Sequence, residues 1–255
     1  DFIFRNVKTI YTIHSSKLEN YLTENKWIAK LILQKAYKVV AVSNGVKQKI
    51  EIEFKNSAIE VIPNSFDFKT PSNSEILPFK YVIAVGRLVK LKQFDKLIES
   101  YSKSRLPEKN IHLVILGTGE EQANLEKKIS DFNLQAVVHL LDFKENVYDY
   151  ISKAKFLVLT SQYEGFSMVV LEALSLGIPV VSFDCEYGPR ELIHNNSNGI
   201  LVEDQNFEEL TRKLDIFVDD EIFYQGCKNN AVLSVEKFQS SVIVNQWLQI
   251  LKNGN

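Results

Sequence analysis

Short β-branched runs alternate with amphipathic stretches along the whole of this chain, and that alternation is its strongest constraint. The runs Val7–Ile13, Val39–Val42, Ile59–Ile62, Tyr81–Val85, His112–Leu116, Val137–Leu141, Phe156–Leu159 and Val180–Phe183 read as strands. Helical spacing lies between most of them, as at Gln93–Lys103, Glu121–Phe132 and Ser167–Leu176. Strands that alternate with helices form parallel sheets whose crossovers cover both faces. The runs are almost continuously apolar, as strands buried on both faces should be. The expected fold class is α/β.

One segment breaks the rhythm. Asn64 to Pro78 is polar, contains Pro71 and Pro78, and has no helical period. It reads as a linker between two domains. The strands before it are too few for a complete doubly wound sheet. A full set follows it, from Tyr81–Val85 to Leu201–Val202. The expected organisation is a partial first domain over residues 1–66, a linker over 67–78 and a complete second domain over 79–236. The tail, 237–255, places Val242, Val244, Trp247, Leu248 and Leu251 at helical spacing. Such a helix needs a surface to dock on, and the first domain is the expected one. Tyr37, Phe54 and Trp247 read as core.

Composition excludes several classes. Thirty Lys and Arg against thirty-two Asp and Glu give a net charge of −2, without the basic excess of a nucleic-acid binder. Cys185 and Cys227 match no metal-ligand spacing and no disulfide framework, which suits a reducing, cytoplasmic setting. No apolar run reaches the roughly 18 residues of a membrane-spanning helix. The chain opens at Asp1 with Phe2-Ile3-Phe4, already inside sequence that reads as folded, so it is expected to be part of a longer protein.

Ligands of parallel sheets bind beyond the carboxyl ends of the strands. Tyr81–Val85 is followed by Gly86-Arg87-Leu88, then Lys92 just before a helix. Two cations beside a helix N-terminus suit a diphosphate, and equally a solvated basic edge. His112–Leu116 is followed by Gly117-Thr118-Gly119, the start of a dinucleotide fingerprint whose third glycine is replaced by Gln122. Phe156–Leu159 is followed by a loop holding Glu164 and Gly165, then by Ser167 as helix N-cap and Glu172 within the helix. Two carboxylates there could accept hydrogen bonds from sugar hydroxyls, or could merely favour the helix N-terminus.

These segments together resemble a known family. Glu164 and Glu172, with seven residues between them, look like the E-x7-E signature of glycosyltransferase family 4, the retaining transferases of GT-B fold. Gly86-Arg87-Leu88 with Lys92, Gly117-Thr118-Gly119, the block from Phe183 to Ile193 (Phe-Asp-Cys-Glu-Tyr-Gly-Pro-Arg-Glu-Leu-Ile), and Asn198-Gly199-Ile200-Leu201-Val202 resemble its other blocks, in the family's order. Ile13-His14-Ser15, Ala41-Val42-Ser43 and Ile62-Pro63-Asn64 resemble the late part of its first domain. The resemblance spans nearly the whole chain and implies on the order of 100 further residues upstream.

The resemblance also implies roles. Arg87 and Lys92 would neutralise the diphosphate of a UDP-sugar donor. Glu172 would hold the ribose, Glu164 would contact the sugar, and His14 would face it across the cleft. The backbone of Gly165, Phe166, Ser167, Met168 and Val169 would meet phosphate and sugar. Gly117 and Phe143 would lie near the nucleotide. No metal or other cofactor is implied, because Arg87 and Lys92 supply the charge. Loss of the Lys92 ammonium should weaken UDP binding by about 1–3 kcal/mol and hardly change unfolding of the empty domain. The block from Phe183 to Ile193 is reminiscent of bacterial enzymes that extend surface polysaccharides such as O-antigen. That implies a saccharide acceptor linked to a polyprenyl diphosphate and a peripheral place on the inner face of the cell membrane. Gln93 and Asp142 stand where the family usually has glycine. A dinucleotide oxidoreductase and a non-catalytic sugar-nucleotide binder are the competing classes. The missing third glycine counts against the first, and retention of all four charged residues against the second.

Overall fold

The computed structural model describes residues 7–15, 17–20, 22–23, 25–54, 59–72 and 77–252. Phe2-Ile3-Phe4, residues 73–76 of the expected linker and 253–255 of the tail lie outside the described residues.

The first part of the chain runs β1 (Ile10–Ile13), α1 (Lys26–Lys35), β2 (Lys38–Ala41), α2 (Asn44–Phe54) and β3 (Ile59–Val61). Its three strands form one parallel sheet in the order β1-β2-β3. The second part continues with β4 (Tyr81–Val85), α3 (Phe94–Lys103), β5 (His112–Leu116), α4 (Gln122–Asp131) and β6 (Val138–Leu141). Then come α5 (Val147–Lys153), β7 (Leu157–Leu159), α6 (Met168–Ser175), β8 (Val180–Phe183), α7 (Pro189–Leu192) and β9 (Gly199–Val202). Three helices finish the chain: α8 (Phe207–Asp219), α9 (Glu221–Val235) and α10 (Ser240–Lys252). The second sheet is parallel throughout, in the order β6-β5-β4-β7-β8-β9. The strand order reverses between β4 and β7, and a crevice for a ligand opens there, beyond their carboxyl ends.

Alternation along the strands divides the core. Tyr81, Ile83, Leu157 and Leu159 point into one apolar cluster, with Leu171 and Leu174 of α6. Val82, Ala84, Leu113, Ile115 and Val158 point into the other, with Leu97 of α3 and Leu214 of α8. The first cluster runs on into Leu33, Val46 and Ile50 of the first part, so apolar contact is continuous between the two.

The tail helix packs against the first sheet. Ile243 and Ile250 of α10 bury against Val40 and Ile62, with Trp247 and Tyr37 alongside. The chain crosses between the halves at Phe66 and again at Gln239, and the two crossings pair side by side. Phe66 N–H donates to the Phe238 carbonyl at 3.2 Å, and Ser240 N–H donates to the Phe66 carbonyl at 3.0 Å.

Two of the histidines form a structural pair. From the sequence, His112, His139 and His194 converge on no motif. In the fold, strand pairing brings His112 Nδ1 to 2.8 Å from His139 Nε2, and Phe79 stacks on both rings at 4.1 and 4.6 Å. Such a contact needs one nitrogen protonated and one bare. Burial lowers both pKa values below the ordinary 6.5, and for His139 the neighbouring His112 adds to the effect. The folded state therefore favours the neutral rings. The stability this confers is complete above pH 6.5 and is lost as pH falls through the lowered values. Unfolding temperature is expected to drop as pH falls below 6.5, and to drop less steeply in the double variant His112→Phe/His139→Phe.

Candidate active site

Two loops make the centre of the crevice. The loop after β4 turns through Gly86 and Arg87 and passes through a short 3-10 turn, Lys90–Lys92. Gln93 then takes the left-handed conformation, φ 51°, immediately before α3. Glycine adopts that conformation at least cost, which gives a physical reason for the family's preference at this position. Here a buried glutamine adopts it instead. The loop after β7 starts at Thr160, whose Oγ1 donates to the Lys92 carbonyl at 2.7 Å. Gln162 N–H donates to the Leu91 carbonyl at 3.0 Å, so the two loops are tied together.

The sequence-predicted residues meet there. One cavity of about 490 Å³ is lined by His14, Arg87, Lys92, Glu164, Glu172 and the run Gly165 to Val169. At Gly165 the two halves touch closely. A Cβ on it would lie 2.2 Å from the His14 carbonyl oxygen. Glycine is thus required for the first half to close over this loop, and the approach places His14 in the cavity wall. Lys17 adds a second contact, its Nζ 4.6 Å from the centre of the Tyr163 ring.

Charges in the cavity are arranged unevenly. Lys92 Nζ lies 2.6 Å from Glu164 Oε1, with the side chains 17% and 15% exposed. Arg87 is exposed and forms no ion pair among the described residues. Glu172 sits deeper. Burial raises its pKa, against the opposing influence of a hydrogen bond that the Tyr148 hydroxyl donates to Oε1 at 3.2 Å. Burial, with Glu172 beside it, pushes the Tyr148 hydroxyl up to about 12.

Ser167 occupies the position before α6, but its hydroxyl makes no cap bond to the helix. Its Oγ is buried without a partner among the described residues, so its expected service as an N-cap is not what the side chain does. That leaves the first N–H groups of α6, which have no helical acceptors, facing the cavity beside an uncommitted hydroxyl. Phe166 directs its ring away, 5.5 Å from Phe238 in the core. Only its main chain is then left to serve a ligand.

A second cavity, about 260 Å³, adjoins the first and shares Val85, Gly86 and Arg87 with it. Gly117, Phe143 and Lys144 line it, and Phe143 is 69% exposed. Arg87 stands between the two. Sequence reasoning found these residues individually. It missed Tyr148 and the Lys92–Glu164 pair, because neither follows from spacing along the chain.

This architecture is the GT-B fold, in which two parallel α/β domains face each other across a cleft. S. aureus TarM, in a structure with fondaparinux, α-GlcNAc-glycerol and UDP, matches with a TM-score of 0.85 at 25% identity, over 96% of this chain and 51% of that one. Anabaena HepE in complex with UDP-glucose matches with a TM-score of 0.86 at 22% identity, over 96% and 72%. The sequence profile of glycosyl transferases group 1 matches residues 66–233, and the chain belongs to that family. It is 30% identical over 233 residues, 89% of its length, to the Campylobacter jejuni N-acetylgalactosamine-N,N'-diacetylbacillosaminyl-diphospho-undecaprenol 4-alpha-N-acetylgalactosaminyltransferase. The chain spans 63% of that protein and 61% of a related glycosyltransferase of Haemophilus influenzae.

Proposed function

We propose that the protein is a retaining glycosyltransferase that moves a hexose or N-acetylhexosamine from a UDP-sugar to a saccharide acceptor linked to a polyprenyl diphosphate. One observation supports this above the others: Arg87, Lys92, Glu164, Glu172 and His14 line a single cavity at the switch point of the sheet.

In this reading Arg87 and Lys92 hold the diphosphate, and their charge stabilises it as it leaves. No metal is called upon. The first N–H groups of α6, with the Ser167 hydroxyl, meet the phosphate oxygens. The Glu172 carboxylate accepts hydrogen bonds from the ribose hydroxyls, and Tyr148 fixes its orientation. Gly117 and Phe143 border the base. Glu164 accepts from the hydroxyls of the sugar, and His14 covers its far side. The acceptor oxygen bonds to the anomeric carbon on the face from which the diphosphate departs, and the acceptor proton passes to a leaving phosphate oxygen. Glu164 is then not a covalent nucleophile. Among the described residues no helix is long and apolar enough to cross a membrane. A lipid-linked acceptor would be met at the inner membrane surface. The Campylobacter relative's name, with its diphospho-undecaprenol-linked acceptor, supports that choice.

The test is protection against thermal unfolding by UDP, a panel of UDP-sugars, and NAD. UDP at a hundredfold excess over its Kd is expected to stabilise the fold by about 2.7 kcal/mol, and NAD to leave it unchanged. Protection by NAD without protection by UDP would reverse the assignment.

A further inference from the structure

The cavity contains a carboxylate partner for its buried cation. Lys92 Nζ contacts Glu164 Oε1 at 2.6 Å, whereas Arg87, beside it, has no such carboxylate among the described residues. The main chain at both positions is held. The Lys92 carbonyl accepts from Thr160, and Glu164 N–H donates to the Glu186 carbonyl at 3.4 Å. Only the side chains are then left to rearrange. An ammonium on a flexible stem can exchange one anion for another. A nucleoside diphosphate offers that ammonium more negative charge than one carboxylate does. Two charges this poorly exposed also tolerate loss of a partner badly, so the exchange requires a replacement on each side.

We propose that Glu164 is a placeholder for the donor. It holds the Lys92 ammonium while the cavity is empty and yields it to the incoming diphosphate. Its carboxylate is then left without a cation and turns to the hydroxyls of the donor sugar. This rests on the reading of the cavity as a nucleoside-diphosphate site. It adds that occupation of the phosphate position and release of Glu164 are one coupled event. UDP alone displaces Glu164 without offering it a hydroxyl, so the leaving product is held less well than the intact donor.

The experiment is a double-mutant cycle read by calorimetry with UDP as the probe, on the protein, Glu164→Gln, Lys92→Ala and the double variant. Glutamine keeps the volume of Glu164 and cannot hold a cation by charge. Glu164→Gln is expected to tighten UDP binding roughly fivefold or more, the lower range for coupled sites. In the Lys92→Ala background the same change is expected to have no effect, because no contact remains to be displaced. Equal tightening in both backgrounds would overturn the exchange, since removal of a negative charge near the phosphates would then explain it. Unchanged or weaker binding by Glu164→Gln would overturn it as well. Failure of the unaltered protein to bind UDP at all would remove the reading of the cavity, and the placeholder with it. Thermal unfolding of each variant identifies any that fails to fold. For such a variant Glu164→Ala takes the place of Glu164→Gln and Lys92→Met that of Lys92→Ala.

Discussion

Lys92→Ala is expected to weaken UDP binding by about 1–3 kcal/mol, a five- to 150-fold loss in affinity. The mutation removes an ammonium that is 17% exposed and lines the same cavity as Arg87 and the first turn of α6. Calorimetry measures it directly, and an unaltered affinity would take the diphosphate away from this turn. The sequence alone suggests that unfolding of the empty domain should hardly change. The ion pair alters that expectation. Without Lys92, Glu164 is left 15% exposed and lacks its cation, so the unfolding temperature should fall as well. Adding Glu164→Gln should recover most of that fall. UDP affinity should stay low, which separates the two consequences of one substitution.

Gly117→Ala is expected to be the most damaging single methyl group that can be added near the site. A Cβ at Gly117 would lie 1.9 Å from the Gly86 carbonyl oxygen. Neither backbone is free to withdraw. Gly86 N–H donates to the Leu116 carbonyl at 3.0 Å, Gly117 N–H to the Leu141 carbonyl at 2.8 Å, and Leu88 N–H to the Thr118 carbonyl at 2.8 Å. Overpacking of this kind costs about 1–3 kcal/mol and sometimes more. Arg87 follows Gly86 directly, so UDP affinity should fall together with stability. Gly226 in α9 provides the contrast. A Cβ there meets nothing within 4 Å, and Gly226→Ala should stabilise the helix by about 0.5–1 kcal/mol. Opposite signs in thermal unfolding are the expected result. Equal behaviour of the two alanines would mean that the β4 and β5 loops are not in contact.

Much of the fold was legible because its determinants are local. Tyr81–Val85, His112–Leu116 and Val180–Phe183 form strands with the expected boundaries, since each is a short apolar run closed by turn residues. The first strand was overestimated. Val7 is 58% exposed, and the strand begins only at Ile10, where β2 supplies a neighbour. The site was legible residue by residue, because its side chains sit just beyond strand ends, where loop and helix chemistry is written in adjacent positions. Interactions that need two distant segments were not. Glu191 accepts from Asn44 Nδ2 at 3.0 Å and from Gly45 N–H at 3.3 Å, joining α7 to the start of α2. No spacing announces such a bond across 146 positions. The same holds for the histidine pair, which exists only because β5 and β6 lie side by side in register.

The paired crossings at Phe66 and Gln239 restrict how the cleft can move. A single tether would let one half swivel about any axis. Two lengths of backbone, bonded to each other at the boundary, behave like the pin of a door. Opening then becomes one rotation that lifts His14 from Gly165 while the apolar seat of α10 on Val40 and Ile62 travels intact with the first half. The tail helix in that sense belongs to the first half, and disrupting its seat should loosen the surface that meets Gly165.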